Sequence, residues 1–272
     1  MERHIKKILI ITGHLVFIRF LAEVLTGVLI KGLAGVIPED LQLPAYRLYF
    51  AGSLLAVGVV YGSKLLGFEI AGFFAHRAAW GRLFSGMLAA FGSVAAIILL
   101  SAWLGTYNIS VGRLTFKPGQ MMFFFGLFIL VAFAEELLHR GIIFRLTEKH
   151  YSGSTAIILS ALTFSLMHLF NKGVTLLAFL NIFLLGLLMA EKVAATGSLW
   201  WPVGFHFAWN AMEGLGFSLP VSGLAVPGIL NVVPEPSVIK SPFWGAEFGP
   251  EGSIVTTAVA VIILMFRNIR KG

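Results

Sequence analysis

Eight stretches of this chain are apolar over about the length of a membrane crossing: roughly 8–30, 45–66, 83–104, 119–143, 154–170, 174–193, 199–217 and 253–268. Inside lipid a backbone must satisfy its own N–H and C=O groups, so runs of this kind fold as helices. Composition agrees: mean hydropathy is +0.89 and only 12% of residues are charged, against about 25% in a soluble domain. The expected fold is all-α, a polytopic membrane protein of about eight transmembrane helices. Residues 1–272 read as a single integral membrane domain. It divides into N-terminal helices (1–118), a central core (119–215), and a loop plus last helix (216–272). Two stretches fall outside the spans. Residues 68–82 mix Phe73, Phe74 and Trp80 with His76, Arg77 and Arg82, which suits an interfacial amphipathic helix. Residues 218–252 are rich in Pro and Gly and hold no run long enough to cross.

The net charge of +7 comes from basic residues scattered between the apolar runs, a positive-inside pattern, so no nucleic-acid partner is implied. With both termini cytoplasmic, thirteen Lys and Arg fall inside: Arg3, Lys6, Lys7, Lys64, Arg77, Arg82, Arg140, Arg145, Lys149, Lys192, Arg267, Arg270 and Lys271. Five fall outside: Lys31, Arg113, Lys117, Lys172 and Lys240. The chain is therefore expected to be a multi-pass protein of the cell membrane with cytoplasmic termini. The opening Met1–Lys7 has the charge of a signal peptide, but the run after it holds His14, Arg19 and Glu23 and reads as a retained span. Arg19 and Glu23 are spaced to pair on one helix face. There is no cysteine, which excludes disulfides, thiolate metal sites and a cysteine nucleophile.

Against this apolar background, Glu135-Glu136-Leu137-Leu138-His139-Arg140 stands out. Ionisable groups at membrane depth cost roughly 3 kcal/mol each and point to function. Further polar groups recur at Phe164–His168, at Asn181, and at His206–Asn210 with Glu213 just beyond. With a turn at Ser152-Gly153, Glu135 lies 17 residues before Ser152 and His168 lies 16 after it. At about 1.5 Å per residue they reach the same height in an antiparallel pair. His206 and Asn210 share a face of a third helix. All three helices are therefore expected to deliver polar groups to one level, near a cytoplasmic surface from which the hairpin Arg145–Gly153 projects. The turn Asn171-Lys172-Gly173 is short enough to end within the membrane, which requires a cavity or protein around it.

Chemistry narrows by elimination. The single aspartate, Asp40, rules out an aspartyl dyad within one chain, and no HExxH helix exists. Ser165, three residues from His168, is a modest serine candidate, and Ser154 sits in the polar turn. Two readings remain. In one, Glu135 is a general base, His168 positions the water, and His206 and Asn210 donate to an oxyanion. In the other, Glu135, His168 and His206 hold a zinc ion with an open water position. In both, Glu136 and Arg140 are spaced i,i+4 for a supporting salt bridge.

The three motifs resemble the CPBP (Abi) family of intramembrane proteases, related to the type II CAAX prenyl endopeptidases. Glu135, Glu136 and Arg140 match its Glu-Glu-x-x-x-Arg, Phe164 and His168 its Phe-x-x-x-His, and His206 and Asn210 its His-x-x-x-Asn. Gly197–Pro202 and Gly245–Gly252 also look like the family. The resemblance covers about residues 119–215, which makes that core the catalytic one. It implies a cytoplasm-facing intramembrane cavity, with Glu135 and His168 activating water and His206 and Asn210 forming the oxyanion hole. It also implies that no cofactor is expected, with zinc the minority alternative. The partners it implies are membrane lipid and a peptide or membrane-anchored protein substrate, in some members lipidated. Two other classes compete with the endopeptidase: a non-catalytic scaffold or regulator of a membrane partner, and a transporter using the same groups as a proton relay. The lack of a visible internal repeat lowers the transporter.

Overall fold

The computed structural model describes residues 2–32, 39–75, 77–110, 118–235 and 242–266. Arg113, Lys117, Lys240, Arg267, Arg270, Lys271 and His76 lie outside these residues, as do the side chains of Arg3, Lys6, Lys7 and Asp40. The helices are α1 (Glu2–Lys31), α2 (Glu39–Val60), α3 (Ala79–Trp103), α4 (Pro118–Glu136), α5 (Phe144–His150), α6 (Gly153–Met167), α7 (Leu176–Thr196), α8 (Trp200–Ala211) and α9 (Ile254–Phe266). π-helical turns extend α2 (Tyr61–Leu65), join α4 to α5 (Leu137–Ile143) and extend α8 (Met212–Gly216).

The protein is an all-α polytopic membrane protein. Five helical segments are long and apolar enough to cross a membrane: Leu9–Lys31, Gln42–Leu65, Ala79–Trp103, Pro118–His150 and Leu176–Thr196. Gly153–Met167 and Ile254–Phe266 are apolar but shorter. The 15 residues of α6 span about 22 Å, less than the roughly 30 Å hydrocarbon core. The turn at Asn171–Gly173 that follows lies at the cavity, where Asn171 and Lys172 line its wall and the Lys172 side chain is exposed.

Small residues bring the site-bearing helices together, the usual device where lipid supplies no hydrophobic drive for association. A methyl group on Gly86 of α3 would stand 2.2 Å from the Trp201 carbonyl oxygen of α8. One on Gly204 would stand 2.2 Å from the Leu83 oxygen. The two backbones therefore touch through a reciprocal glycine pair. Gly186 of α7 meets Ala161 of α6 in the same way, at 3.1 Å from its Cα.

Residues 68–82 do not form the expected amphipathic helix. A short 3₁₀ turn at Ile70–Phe73 is followed by α3 starting at Ala79. Phe74 packs on Phe133 and Trp200, and the Phe73 and Phe74 carbonyls accept from the Leu199 N–H and the Trp200 indole. The aromatic side chains are spent on the start of α8 rather than on one face of a surface helix.

The segment after α8 folds back onto the helices. Strand β2 (Asn231–Pro234) pairs antiparallel with β1 (Tyr107–Ser110), Tyr107 facing Pro234. Further on, Asn181 of α7 donates to the carbonyls of Glu251 and Ser253 at 2.7 and 2.8 Å and accepts from the Thr257 hydroxyl at 2.7 Å. One buried amide thus ties the end of the loop and the start of α9 to the bundle.

Candidate active site

The apolar helix α4 reaches Glu135 and Glu136 and then passes into the π turn Leu137–Ile143. Single π turns in α-helices are rare and often mark functional sites. The two neighbouring carboxylates meet different surroundings. Glu135 lines a cavity and its side chain is 21% exposed, whereas Glu136 is fully buried.

Glu136 organises the buried layer. Its Oε1 accepts from Arg140 Nη1 at 2.9 Å and from His206 Nδ1 at 2.9 Å. Arg140, also fully buried, donates through Nη2 to the Gly186 carbonyl at 3.2 Å and lies 4.2 Å from the centre of the Phe164 ring. Phe164 in turn sets its ring edge-on to His168 and His206, centroids 4.9 and 5.8 Å apart. The expected Glu136–Arg140 bridge is present, and a guanidinium with a carboxylate, a carbonyl and an aromatic face is a well-compensated buried charge.

The second layer faces the cavity, whose volume is about 440 Å³, within the usual range for ligand sites. Glu135, His168, His206 and Asn210 all line it. His168 Nδ1 is 2.9 Å from the Phe164 carbonyl and so carries the proton there, which leaves Nε2 as the acceptor. His206 spends Nδ1–H on Glu136, and its Nε2 stands 4.0 Å from Glu135 Oε2. That carboxylate oxygen has no hydrogen-bond partner among the described residues. A carboxylate whose free oxygen is buried beside an imidazole is equipped to take up and release a proton.

The four residues expected to be catalytic thus share one cavity, with Glu136 and Arg140 directly behind. Other expectations fare differently. Among the described residues no group of three or more His, Asp or Glu side chains is placed to hold a metal ion. Ser165 is buried and hydrogen-bonds to the Leu162 carbonyl of its own helix, away from the cavity lining. Ser154 is exposed. Arg19 and Glu23 pair at 3.8 Å, but both also line the cavity: Arg19 donates to the Met167 carbonyl, and Glu23 accepts from the Tyr46 hydroxyl.

Sequence reasoning missed part of the wall. Arg47 and Ser222 line the cavity, and Arg47 Nη2 donates to the Ser222 carbonyl at 3.4 Å. The buried Glu251 carboxylate accepts from both the backbone N–H and the hydroxyl of Ser222, at 2.8 and 2.7 Å. Burial pushes the Glu251 carboxyl up, opposed by the Ser222 donors and by the nearby His168 and His206. The available signal was the stretch Gly245–Gly252, too polar to span yet carrying a glutamate between Pro250 and Gly252.

Residues 117–212 match the family model described as Type II CAAX prenyl endopeptidase Rce1-like. The matched segment contains all three motifs and the residues around the cavity floor. The match is to a CAAX protease-type family and covers 96 of the 272 residues. Comparison with curated proteins finds no match.

Proposed function

We propose that this chain is an intramembrane endopeptidase in which Glu135 and His168 activate a water and His206 and Asn210 stabilise the oxyanion. The observation that carries the reading is the division of labour between adjacent carboxylates. Glu136 gives its Oε1 to Arg140 and His206 in the buried layer, while Glu135 lines the cavity and its Oε2 takes no hydrogen bond from a described residue. Glu135 removes a proton from water as the oxygen adds to the scissile carbonyl carbon. The charge that develops on the carbonyl oxygen is met by the Asn210 amide and by His206 Nε2 when that nitrogen carries a proton. Glu135 then delivers its proton to the leaving nitrogen, and the C–N bond breaks. The His168 Nε2 acceptor holds the attacking water.

The apolar wall built from Leu54, Leu127, Phe128 and Val131 suits a membrane-anchored or lipidated peptide. The test compares wild type with Glu135→Gln on quenched membrane-proximal peptides in detergent, with and without chelator. Cleavage that survives chelation and is lost in the variant is the expected result. Cleavage abolished by chelator and restored by zinc overturns the glutamate mechanism.

A further inference from the structure

The start of α1 and the end of α9 lie at the opposite end of the bundle from the mouth of the cavity. At the closed end, Ile11 of α1 shares a buried cluster with Ile143 and Leu146 next to the α5–α6 hairpin. Arg145 of that hairpin donates to the Gly197 carbonyl at 3.3 Å, and Arg82 donates to the Thr196 carbonyl at 3.0 Å. The start of α1, the hairpin, the start of α3 and the end of α7 therefore sit together. At the other end, Glu23 meets Tyr46, Arg47 meets Ser222, and Lys172 meets Glu247. That second group contains the cavity rim. Helix α9 begins there, where Asn181 holds the Ser253 carbonyl, and leads away from it.

This arrangement sets the two sequence-based expectations against each other. A cytoplasmic mouth requires the closed end to be external, and then the basic residues of that end would lie outside. Cytoplasmic termini require a mouth on the other side. The basic residues on the closed end, Lys64, Arg77, Arg82, Arg145, Lys149 and Lys192, favour retention of that end in the cytoplasm.

We infer that the chamber opens on the non-cytoplasmic face of the membrane and takes peptide segments presented from that side, exported or anchored in the outer leaflet. The access direction stands on geometry and charge; the substrate class rests on the endopeptidase reading.

Because the chain has no cysteine, single-cysteine labelling decides the orientation without background. Lys172 and Glu247 at the mouth are 70% and 66% exposed, and Lys149 at the hairpin is exposed. Lys172→Cys, Glu247→Cys and Lys149→Cys are labelled with an impermeant maleimide in sealed right-side-out vesicles, before and after permeabilisation. Labelling in denaturant gives the total for each. The expected result is labelling of the two mouth variants in sealed vesicles and of Lys149→Cys only after permeabilisation. The reverse pattern, or equal labelling of all three in sealed vesicles, overturns the inference. In a second arm, quenched peptide is added outside sealed vesicles of wild type and Glu135→Gln. Cleavage by wild type without permeabilisation is expected, and cleavage only after permeabilisation counts against outside access. Labelling as expected with no cleavage under either condition would leave the orientation standing and remove the endopeptidase reading.

Discussion

His206 and Glu136, 70 positions apart, share one hydrogen bond: His206 Nδ1 donates to Glu136 Oε1 at 2.9 Å. The same oxygen takes Arg140 Nη1 at 2.9 Å. One buried carboxylate therefore neutralises a guanidinium and sets the face and tautomer of an imidazole on another helix. Orientation by a neighbour of this kind is how a histidine is given a single role. The first motif of the sequence is joined to the third through this atom.

The adjacent glutamates should separate cleanly on substitution. Glu135→Gln removes a base that no described protein donor holds, so hydrolysis should fall on the order of a thousandfold with a stability change below about 1 kcal/mol. Glu136→Gln leaves Arg140 buried without a counter-charge and should cost about 3–5 kcal/mol. Thermal unfolding in detergent, alongside peptide hydrolysis, measures both. Equal destabilisation by the two variants would contradict the two-layer arrangement.

Phe164 links Arg140 to both histidines of the site. Phe164→Leu keeps an apolar side chain but loses the aromatic face 4.2 Å from the guanidinium, worth about 0.5–2 kcal/mol. The expected outcome is a small drop in unfolding temperature and a larger drop in kcat, because the edges against His168 and His206 are lost too. Phe164→Tyr, which keeps the ring, should retain most activity if its hydroxyl finds room. A loss of stability with kcat unchanged would mean that the ring does not orient the histidines.

Much of the floor of the site was legible in the sequence because its spacing is helical. Glu136 and Arg140 are i,i+4, His206 and Asn210 are i,i+4, and the Ser152 turn places Glu135 level with His168. Ser152 indeed caps α6, accepting from the Thr155 N–H. The wall was not legible. Ser222 and Glu251 meet 29 positions apart across a loop with no periodicity, and β1 pairs with β2 across more than 120 residues. Contacts of that range leave no trace in a local pattern. The interfacial helix expected over 68–82 failed for a related reason: Phe74 and Trp80 are claimed by Trp200, on a distant helix. Hydropathy counted the 154–170 stretch as a span, but α6 closes at Met167 and is too short for a full crossing.

The reciprocal glycines of α3 and α8 predict a steric dependence. A Cβ on residue 204 meets the Leu83 carbonyl oxygen at 2.2 Å, with the Leu83 Cα at 3.1 Å. Both are backbone atoms, so the helices themselves must part. Gly204→Ala should cost more than the 1–3 kcal/mol typical of overpacking, since no side chain can yield. Gly92→Ala on the same α3, where nothing lies within 4 Å, is the control and should stabilise slightly or be neutral. His206 is two residues beyond Gly204, so the first variant should lose activity even where it remains folded. Unfolding midpoints and hydrolysis rates of the pair test this, and matched behaviour of the two alanines would refute the close-contact account.

Asn181 was singled out by its place in an apolar helix, yet it is remote from the cavity floor and acts on the wall. Its amide holds the carbonyls of Glu251 and Ser253, and its own carbonyl receives Thr257. Asn181→Leu strands the Glu251 carbonyl, at about 1–3 kcal/mol, and leaves the Ser253 carbonyl only the longer bonds from the Thr257 N–H and hydroxyl at 3.3 and 3.4 Å. The loss should be local, because the unpartnered groups belong to the loop and the first turn of α9. Glu251 should then release Ser222, on the cavity wall, and amides from Val221 to Leu224 should exchange hydrogen faster. The floor residues, held by Glu136 and Arg140, should keep their protection. Hydrogen exchange by mass spectrometry on wild type and Asn181→Leu reads this directly. Faster exchange spread evenly over α4 and α8 would show that Asn181 supports the whole bundle rather than the wall.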